Sequence, residues 1–241
     1  MPIPGLYDAY QRWAGQTVWV YSDPHFGDQD LAAGVANRPS DLDHVKLINA
    51  CVGKKDTLIC LGDVGDLAYV RQLRGYKVLI MGNHDAGATN YKRETKQFNF
   101  KQDEYSYAEI QTILQAKYPD WKITIAEAMT ATKDVGIVKL WTAFVDNCLF
   151  DEVYEGALII GEKLILSHEP VGIPWLYNIH GHDHSGRSDA THCNVCSDAC
   201  GYQPLNLNSF LKSGPLAHTD SIHRITIDAA TKRSKKRKGK K

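Results

Sequence analysis

The segment that decides the fold is residues 57–66, with the sequence TLICLGDVGD. Its first five residues are apolar or favour β-structure, and Gly62 follows them, so we expect a fully buried strand that ends at the glycine. Asp63 and Asp66 lie just beyond this strand. Because ligands of open α/β sheets bind outside the carboxyl ends of the strands, both carboxylates are candidate cation ligands.

Four further apolar runs end in the same kinds of side chain. The runs cover residues 17–21, 76–81, 163–167 and 175–179. The Asp, Asn and His residues that follow them are Asp23, His25, Asn83, His84, Asp85, His168, His180, His182, Asp183 and His184. One such strand would carry little weight, but five of them predict a single polynuclear metal site at the carboxyl edge of an α/β sheet.

The chemistry of these ligands indicates the metal. Carboxylates and imidazoles without thiolates suit manganese, iron or zinc, whereas an all-oxygen set would indicate magnesium or calcium. We therefore expect two divalent ions, with Mn²⁺ first and Fe or Zn²⁺ as alternatives, because the predicted ligands outnumber those of one tetrahedral ion. These ligands are Asp23, His25, Asp63, Asn83, His168, His182 and His184. A bridging Asp63 would hold the two ions about 3.5–4 Å apart.

Length and composition predict one domain over residues 1–231. The chain has 241 residues and is 43% hydrophobic, which is enough for a sizeable core. It contains no apolar run long enough for a membrane span, and its N-terminus lacks the pattern of a secretory signal. We therefore expect a cytoplasmic protein with no membrane partner, whose oligomeric state stays open.

The formal net charge of zero conceals a basic C-terminus. Residues 232–241 hold eight of the 28 Lys and Arg residues and no acid, which leaves 20 basic against 28 acidic residues, a net charge of −8, in the rest of the chain. Such a block is predicted to be a solvated, disordered tail. The functional alternative is electrostatic binding of nucleic acid, which would be salt-sensitive.

Two other features have no assigned function. Residues 88–148 carry little site chemistry and are predicted to form an excursion that flanks the pocket. Cys193, Cys196 and Cys200 have a C-x2-C-x3-C spacing that could hold zinc or iron–sulfur, but no second pair of ligands accompanies it, so packing is the favoured interpretation. All six cysteines are expected to be reduced.

Local patterns predict the remaining elements. Ser40 is a predicted helix N-cap, followed by an inward stripe of Leu42, Val45, Ile48 and Val52, with His44 on the polar, surface-facing side. Further helices are predicted over residues 6–14, 66–73 and 106–117. Strands are predicted over 121–125 and 137–141, a hairpin turn at 161–162, and a last strand over 222–227.

The order of these motifs resembles the calcineurin-like metallophosphoesterase superfamily. The shared motifs are Asp-x-His, Gly-Asp-x-x-Asp, Gly-Asn-His-Asp, a lone His after a strand, and Gly-His-x-His, which together span residues 23–184. Segments 22–27, 37–39, 180–184, 194–195 and 202–204 resemble the small bacterial and phage members in particular. The resemblance implies a four-layer α-β-β-α sandwich, in which two mixed sheets are flanked by helices and a dinuclear metal site lies at the C-terminal ends of the strands.

The resemblance also implies a role for each site residue. Asp23, His25 and His184 would hold one ion, Asn83, His168 and His182 the other, and Asp63 would bridge them. A metal-bridging hydroxide would attack in line, because coordination lowers the pKa of water toward about 7. His84 would be the general acid, with Asp66 orienting its ring and Asp85 shaping the loop. Arg38, Asn83 and His84 are the candidate substrate contacts.

The predicted function is hydrolysis of a phosphodiester or a small phosphomonoester. Leu67 and Asp85 replace the Arg and Glu of the superfamily's protein phosphatases, which disfavours a phosphoprotein substrate. A nuclease acting on DNA or RNA is the first alternative, and a catalytically inactive metal-binding scaffold is the second. Taken singly, each Asp could be a helix cap and each His a buried core residue. The natural substrate is left open.

Overall fold

The structure is a computed structural model that describes residues 16–85, 90–132, 136–161, 163–219 and 222–238. The helix predicted over 6–14 lies outside these ranges. The strands in chain order are β1 (Val18–Tyr21), β2 (Thr57–Cys60), β3 (Tyr76–Ile80), β4 (Thr95–Lys101), β5 (Lys122–Thr132), β6 (Gly136–Asp146), β7 (Glu152–Tyr154), β8 (Leu158–Ile160), β9 (Leu164–Leu166), β10 (Tyr177–His180), β11 (His192–Asn194) and β12 (Leu205–Asn206). The helices are α1 (Gln29–Gly34), α2 (Asp41–Cys51), α3 (Leu67–Val70), α4 (Tyr107–Lys117), α5 (Leu207–Lys212) and α6 (Ile222–Lys238), with 3₁₀ turns at Asn83–Asp85 and Pro215–His218. The chain is thus a mixed α/β protein, as predicted.

The first sheet has the strand order β12-β1-β2-β3-β7. Strands β1, β2, β3 and β7 run parallel, and β12 pairs with β1 in the antiparallel direction. All four residues of β2 are buried, as the uninterrupted apolar run predicts for a central parallel strand. Because the strands are parallel, β1, β2 and β3 end at the same edge of the sheet.

The second sheet has the order β11-β10-β9-β8. Strands β9, β10 and β11 are parallel, so the chain segments after β9 and β10 leave from one edge. Strands β8 and β9 form the predicted antiparallel hairpin, with Leu158 opposite Leu166.

The main hydrophobic core lies between these two sheets. Ile59 and Leu61 of the β2 segment pack here together with Leu166 of β9 and Ile179 of β10. The alternate residues Leu58 and Cys60 face the other side, where α2 supplies Val45, Ile48 and Val52. The period of two along β2 therefore divides its side chains between two cores.

The excursion forms a third, antiparallel sheet with the order β4-β6-β5. Its strands β5 and β6 are longer than predicted, because they pair along their whole length from Lys122 opposite Asp146 to Thr132 opposite Gly136. Ile110 and Leu114 of α4 pack on Ala143 and Val145 of β6. This small core is separate from the two others.

The two ends of the excursion meet at a narrow neck. Lys92 and Phe150 form a β-bridge, and the Arg93 N–H donates to the Phe150 carbonyl at 2.6 Å. The Arg93 guanidinium also pairs with Asp146 and Asp151. The hydrogen bond to Asp146 raises the pKa of Arg93 above its ordinary value.

Two predictions about α2 are wrong. Leu42 is 54% exposed, whereas His44 is fully buried against Tyr21, Phe26 and Tyr202. The reason is geometric, since six residues place Leu42 about 120° around the helix from the buried Ile48. The predicted cap is found, with the Asp43 N–H donating to Ser40 Oγ at 3.3 Å.

The C-terminal predictions are also wrong. Residues 222–227 are not a strand but the first turns of α6, which continues to Lys238. The helix thus covers most of the segment 232–241 that was predicted to be a disordered tail, and residues 239–241 lie outside the described ranges. Ala229, Ala230 and the Lys and Arg residues have high helix propensity, which outweighs the short β-like alternation. The described side chains over 226–235 are exposed. The positive charge and the solvation of this segment therefore did not prevent helix formation.

Helix α3 is shorter than the predicted 66–73 segment, because the chain leaves the α-helix at Arg71 and continues in turns. Among the described residues, no helix combines the length and the hydropathy needed to cross a bilayer.

Burial of His44 predicts a pH-dependent stability. Desolvation lowers the His44 pKa from 6.5 to about 4, so the folded state holds the neutral ring while the unfolded chain takes up a proton below pH 6.5. As the pH falls from about 6.5 toward 4, the free energy of unfolding should drop by about 3 kcal/mol through this residue. Urea denaturation of metal-free wild type and His44→Gln should show a shallower pH dependence in the variant, and parallel curves would contradict the assignment.

Candidate metal centre

Five loops converge where the strands of the two large sheets end. Backbone bonds tie them together: the Asp23 N–H donates to the Gly62 carbonyl at 3.1 Å and the His25 N–H to the Asp63 carbonyl at 3.0 Å. The Gly181 N–H donates to the His168 carbonyl at 2.9 Å, which joins the loops after β9 and β10. The carboxyl edges of both sheets thus face one site.

The first group of potential ligands is Asp23, His25 and His184. One ligand atom from each lies within 4.8 Å of the others. Asp23 Oδ1 is 3.8 Å from His25 Nε2 and 3.9 Å from His184 Nε2. These spacings leave room for one ion between the three side chains.

The second group is Asp63, His168 and His182, again within 4.8 Å of one another. His168 Nε2 is 2.8 Å from Asn83 Oδ1 and 3.1 Å from His182 Nδ1. His168 Nδ1 lies 2.8 Å from the Leu61 carbonyl, which orients the ring and turns Nε2 toward the site.

Asp63 connects the two groups. Its Oδ2 is 3.6 Å from His25 Nε2 in the first group and 3.4 Å from His168 Nε2 in the second. Burial opposes ionisation of Asp63, but hydrogen bonds from His168 and from the His84 backbone outweigh it and lower the pKa. An ionised carboxylate therefore lies between two imidazole-containing groups.

Unpaired buried atoms support metal binding here. Asp23 Oδ1 and His25 Nε2 are buried and have no hydrogen-bond partner among the described residues. Both atoms belong to the first ligand group and face each other across it. Since buried polar atoms are nearly always satisfied, this pair fits a site built for a cation.

Backbone strain is concentrated at the ligand positions. Asp23, His25, Asp63 and His182 have φ angles of 55°, 42°, 51° and 63°, in the left-handed region that residues with a Cβ rarely adopt. Such outliers persist only where the surroundings enforce them, and they concentrate at functional sites. The ligand directions are therefore held against a local energetic cost.

Two glycines allow the loops to approach closely. A Cβ at Gly82 would collide with Asp63 Oδ1, and one at Gly181 would collide with Ser22 and with Asp23 Oδ2. The glycines of the Gly-Asn-His-Asp and Gly-His-x-His motifs are thus required by contacts with the carboxylates of other loops.

Asp85 organises the loop that holds Asn83 and His84. Its carboxylate accepts hydrogen bonds from the N–H groups of Asp63, Gly82 and Val64 at 2.7, 2.9 and 3.2 Å. Burial raises its pKa despite these bonds. This position matches the predicted loop-shaping role.

His84 lies at the open side of the centre. Its side chain is 67% exposed, and Nε2 is 3.9 Å from Asp63 Oδ2. Asp66 Oδ1 accepts from the Ala68 N–H at 2.8 Å and caps α3, so the orientation of the His84 ring by Asp66 stays a prediction. The helix-cap alternative is thus the observed role of Asp66.

Arg38 is not placed to contact a substrate, contrary to the prediction. Its side chain is only 3% exposed and pairs with Asp198, with Nη1 2.7 Å from Oδ1. Nη2 donates to the Pro24 carbonyl at 2.5 Å. The guanidinium is therefore engaged in holding the loop between Asp23 and His25.

Asp198 is the functional residue that sequence reasoning missed. Its Oδ2 accepts from His184 Nδ1 at 2.6 Å, and its Oδ1 accepts from the Tyr202 hydroxyl at 2.8 Å. Although burial opposes it, hydrogen bonds from these two residues and the Arg38 charge lower the Asp198 pKa to about 2. A carboxylate in this position orients a ligating histidine. In the sequence, the segment around Asp198 is distinguished only by its cysteines.

A separate metal at the cysteine cluster is not favoured by this geometry. His184, Cys196 and Asp198 are close enough to share an ion, but Asp198 is already bonded to His184 and Arg38. Burial raises the pKa of the Cys196 thiol well above its ordinary value, which opposes the thiolate form that a metal needs. All six cysteines are free thiols.

Comparison with known proteins adds little to this geometry. No protein-family model and no curated protein matches the chain. A solved structure of a protein of unknown function from Aquifex aeolicus has a TM-score of 0.48 and 19% sequence identity, covering 82% of this chain and 98% of that chain. This likeness carries no argument about function.

Asp198→Asn should weaken binding of one ion selectively. The amide cannot hold the His184 ring through a charge-assisted bond, so affinity at the Asp23 group should fall by about 10–100-fold, while the Asp63–His168–His182 group is unaffected. Calorimetric titration with Mn²⁺ should therefore show one weakened and one unchanged site.

The matched control is Asp43→Asn on the exposed face of α2, which should bind as wild type does. Circular dichroism at the titration temperature checks that the variant is folded. Equal weakening at both sites, or at neither, would refute the positioning role of Asp198.

Proposed function

We propose that the protein is a dinuclear-metal-dependent phosphoesterase. The observation that carries the proposal is the position of Asp63, whose Oδ2 lies within 3.6 Å of His25 Nε2 and 3.4 Å of His168 Nε2. A carboxylate shared by two ligand groups would let two ions bind side by side, and a pair of ions stabilises both the attacking and the leaving oxygen of an in-line phosphoryl displacement. The proposed substrate is a phosphodiester or a small phosphomonoester.

Each ligand group would hold one ion. Asp23, His25 and His184 form one set, Asn83, His168 and His182 form the other, and Asp63 belongs to both. When bound, the ions would supply an activated water as nucleophile and positive charge for the reacting phosphoryl oxygens. Mn²⁺ is the first candidate and Fe or Zn²⁺ the alternatives, since the ligands are carboxylate, amide and imidazole.

His84 is proposed as the general acid. It is exposed at the mouth of the centre, 3.9 Å from the shared carboxylate, where a protonated ring could give its proton to a leaving oxygen. Asn83 and His84 are the proposed substrate contacts, and the buried Arg38 is not among them. The His84 N–H donates to Asp63 Oδ1 at 2.9 Å, which fixes the His84 backbone beside the shared carboxylate.

The four-layer sandwich is part of the same proposal. Two contacts support it: the core between the two large sheets and the packing of α2 on the outer side of the first sheet. The cytoplasm is the proposed location.

His84→Ala should lower kcat by about 10²–10⁴-fold with unchanged metal content. The loss should be larger for a phenyl ester than for a p-nitrophenyl ester, because the more basic phenolate needs the proton more. Hydrolysis of both esters, as mono- and diesters, is measured with Mn²⁺ and after chelation.

His192→Ala, a half-buried histidine of β11, is the control and should retain full activity. Equal turnover by His84→Ala would refute the assigned acid. A metal-loaded wild type without hydrolysis of any ester would favour the inactive scaffold.

A nuclease is the second candidate, favoured by the exposed basic helix α6. Deleting residues 232–241 removes eight positive charges and should lower affinity for single- or double-stranded DNA and RNA. The slope of log K against log salt should fall by about 0.7–0.9 for each phosphate that the shortened protein no longer neutralises. Hydrolysis of p-nitrophenyl esters should be unchanged in the same protein. An unchanged slope would remove the argument for a nuclease.

A further inference from the structure

One loop supplies a ligand to each of the two candidate ions. The loop follows β10 and covers residues 181–186, with His184 in the first ligand group and His182 in the second. Asp183 stands between the two histidines, so the planar peptide units on either side of it set the direction of both. A group that fixes the Asp183 backbone therefore acts on both ligands.

Asn194, the last residue of β11, holds this loop. Its Nδ2 donates to the Asp183 carbonyl at 2.6 Å and to the Gly186 carbonyl at 2.9 Å. Its Oδ1 accepts from the Cys196 N–H at 2.9 Å. Since carbonyls only accept, the two loop contacts identify Nδ2 as the atom that faces the loop, and both of its hydrogens are used. Asn194 is only 6% exposed, so water does not compete for these bonds.

The second sheet fixes the position of Asn194 itself. Strands β10 and β11 run parallel with His180 opposite Asn194, and the Val195 N–H donates to the His180 carbonyl at 2.8 Å. The strand that leads into the loop and the strand that carries Asn194 are thus neighbours in one ladder. The side chain of Asn194 extends this ladder beyond the end of β10 and transfers its position to the loop.

The other bonds of the loop do not replace this contact. Asp183 Oδ1 accepts from the Ser185 and Gly186 N–H groups at 3.1 and 2.7 Å, but these bonds lie within the loop and fix only its shape. The His182 N–H donates to Asp23 Oδ2 at 2.8 Å, and Asp23 is itself a candidate ligand. Asn194 is anchored in the sheet and belongs to neither ligand group.

We infer that Asn194 is a positioning residue for both metal ions, because its side chain fixes the peptide backbone between His182 and His184. The inference rests on the two-ion centre of the proposed function. Asn194 differs in this respect from Asp198, whose bond holds the ring of His184 alone. Loss of the Asn194 side chain therefore affects both ions, whereas loss of the Asp198 charge affects one.

Calorimetric titration of full-length Asn194→Ala with Mn²⁺ tests the inference. Both sites should lose about tenfold or more in affinity, as is typical when a group that orients metal ligands is removed. Asn194→Ser is a milder second variant. Its hydroxyl can donate to only one of the two carbonyls, so its affinities should lie between those of wild type and Asn194→Ala.

The matched control is Asn147→Ala at the neck of the excursion. Asn147 is 5% exposed, and its carboxamide also binds three backbone groups, those of Lys92, Glu94 and Leu149. The control loses a comparable buried side chain far from the ligand loops and should bind both ions as wild type does. It therefore separates loss of ligand position from general loss of stability.

Hydrogen exchange of the chelated protein provides a readout without metal. In Asn194→Ala the His182 and Gly186 N–H groups should exchange faster than in wild type, because the loop opens more often. The Gly82 N–H, which donates to Asp85 in another loop, should keep its wild-type rate. Both sets of rates should be unchanged in Asn147→Ala.

Several outcomes would overturn the inference. They are weakening of one ion only or of neither in the Asn194 variants, equal weakening in Asn147→Ala, and unchanged exchange of the His182 and Gly186 N–H groups. Ester hydrolysis by wild type together with any of these would leave the proposed function intact. Conversely, if wild type binds two ions and hydrolyses no ester while Asn194→Ala weakens both, the proposed function fails and the positioning role stands. A wild type that binds fewer than two ions would overturn both.

Discussion

The architecture depends on the burial of ionisable groups whose hydrogen-bonding atoms have no partner among the described residues. Asp23 Oδ1 and His25 Nε2 are removed from water and left facing each other without a donor or acceptor. Burying such atoms costs free energy, and a cation between them would recover it. The left-handed backbone at Asp23, His25, Asp63 and His182 occurs in the same loops, which bring the candidate ligands together.

Parallel strand order is what makes this convergence attainable. Strands β1, β2 and β3 end at one edge of the first sheet, and β9 and β10 end at one edge of the second, so short loops suffice to bring five segments together. Asp85 and Asp198 then fix these loops through hydrogen bonds and an ion pair. Asp85 binds three backbone N–H groups, while Asp198 joins His184 to Arg38 and Tyr202. The shape of the centre thus depends on carboxylates that would not themselves hold an ion.

The ends of the strands could be predicted because apolar runs and the glycines that follow them are local signals. The role of Asp198 could not be predicted, because it depends on a contact with His184 that only the folded chain creates. The same applies to Arg38, whose partner is 160 residues away, and to His44, whose burial depends on the rotation of α2 about its axis. Helix α6 was missed for a different reason. The short alternation of Ile and Thr is compatible both with the period of two of a strand and with the period of 3.6 of a helix, and the residues with high helix propensity come later in the sequence.

The neck formed by Lys92, Arg93 and Phe150 has an evolutionary consequence. Because the third sheet starts and finishes at adjacent points, its strands share no ladder with the two large sheets. The third sheet and its core with α4 therefore form a unit whose pairing is independent of the strands that lead to the candidate ligands. A lineage could in this way lengthen or replace the third sheet while β1, β2 and β3 keep their pairing.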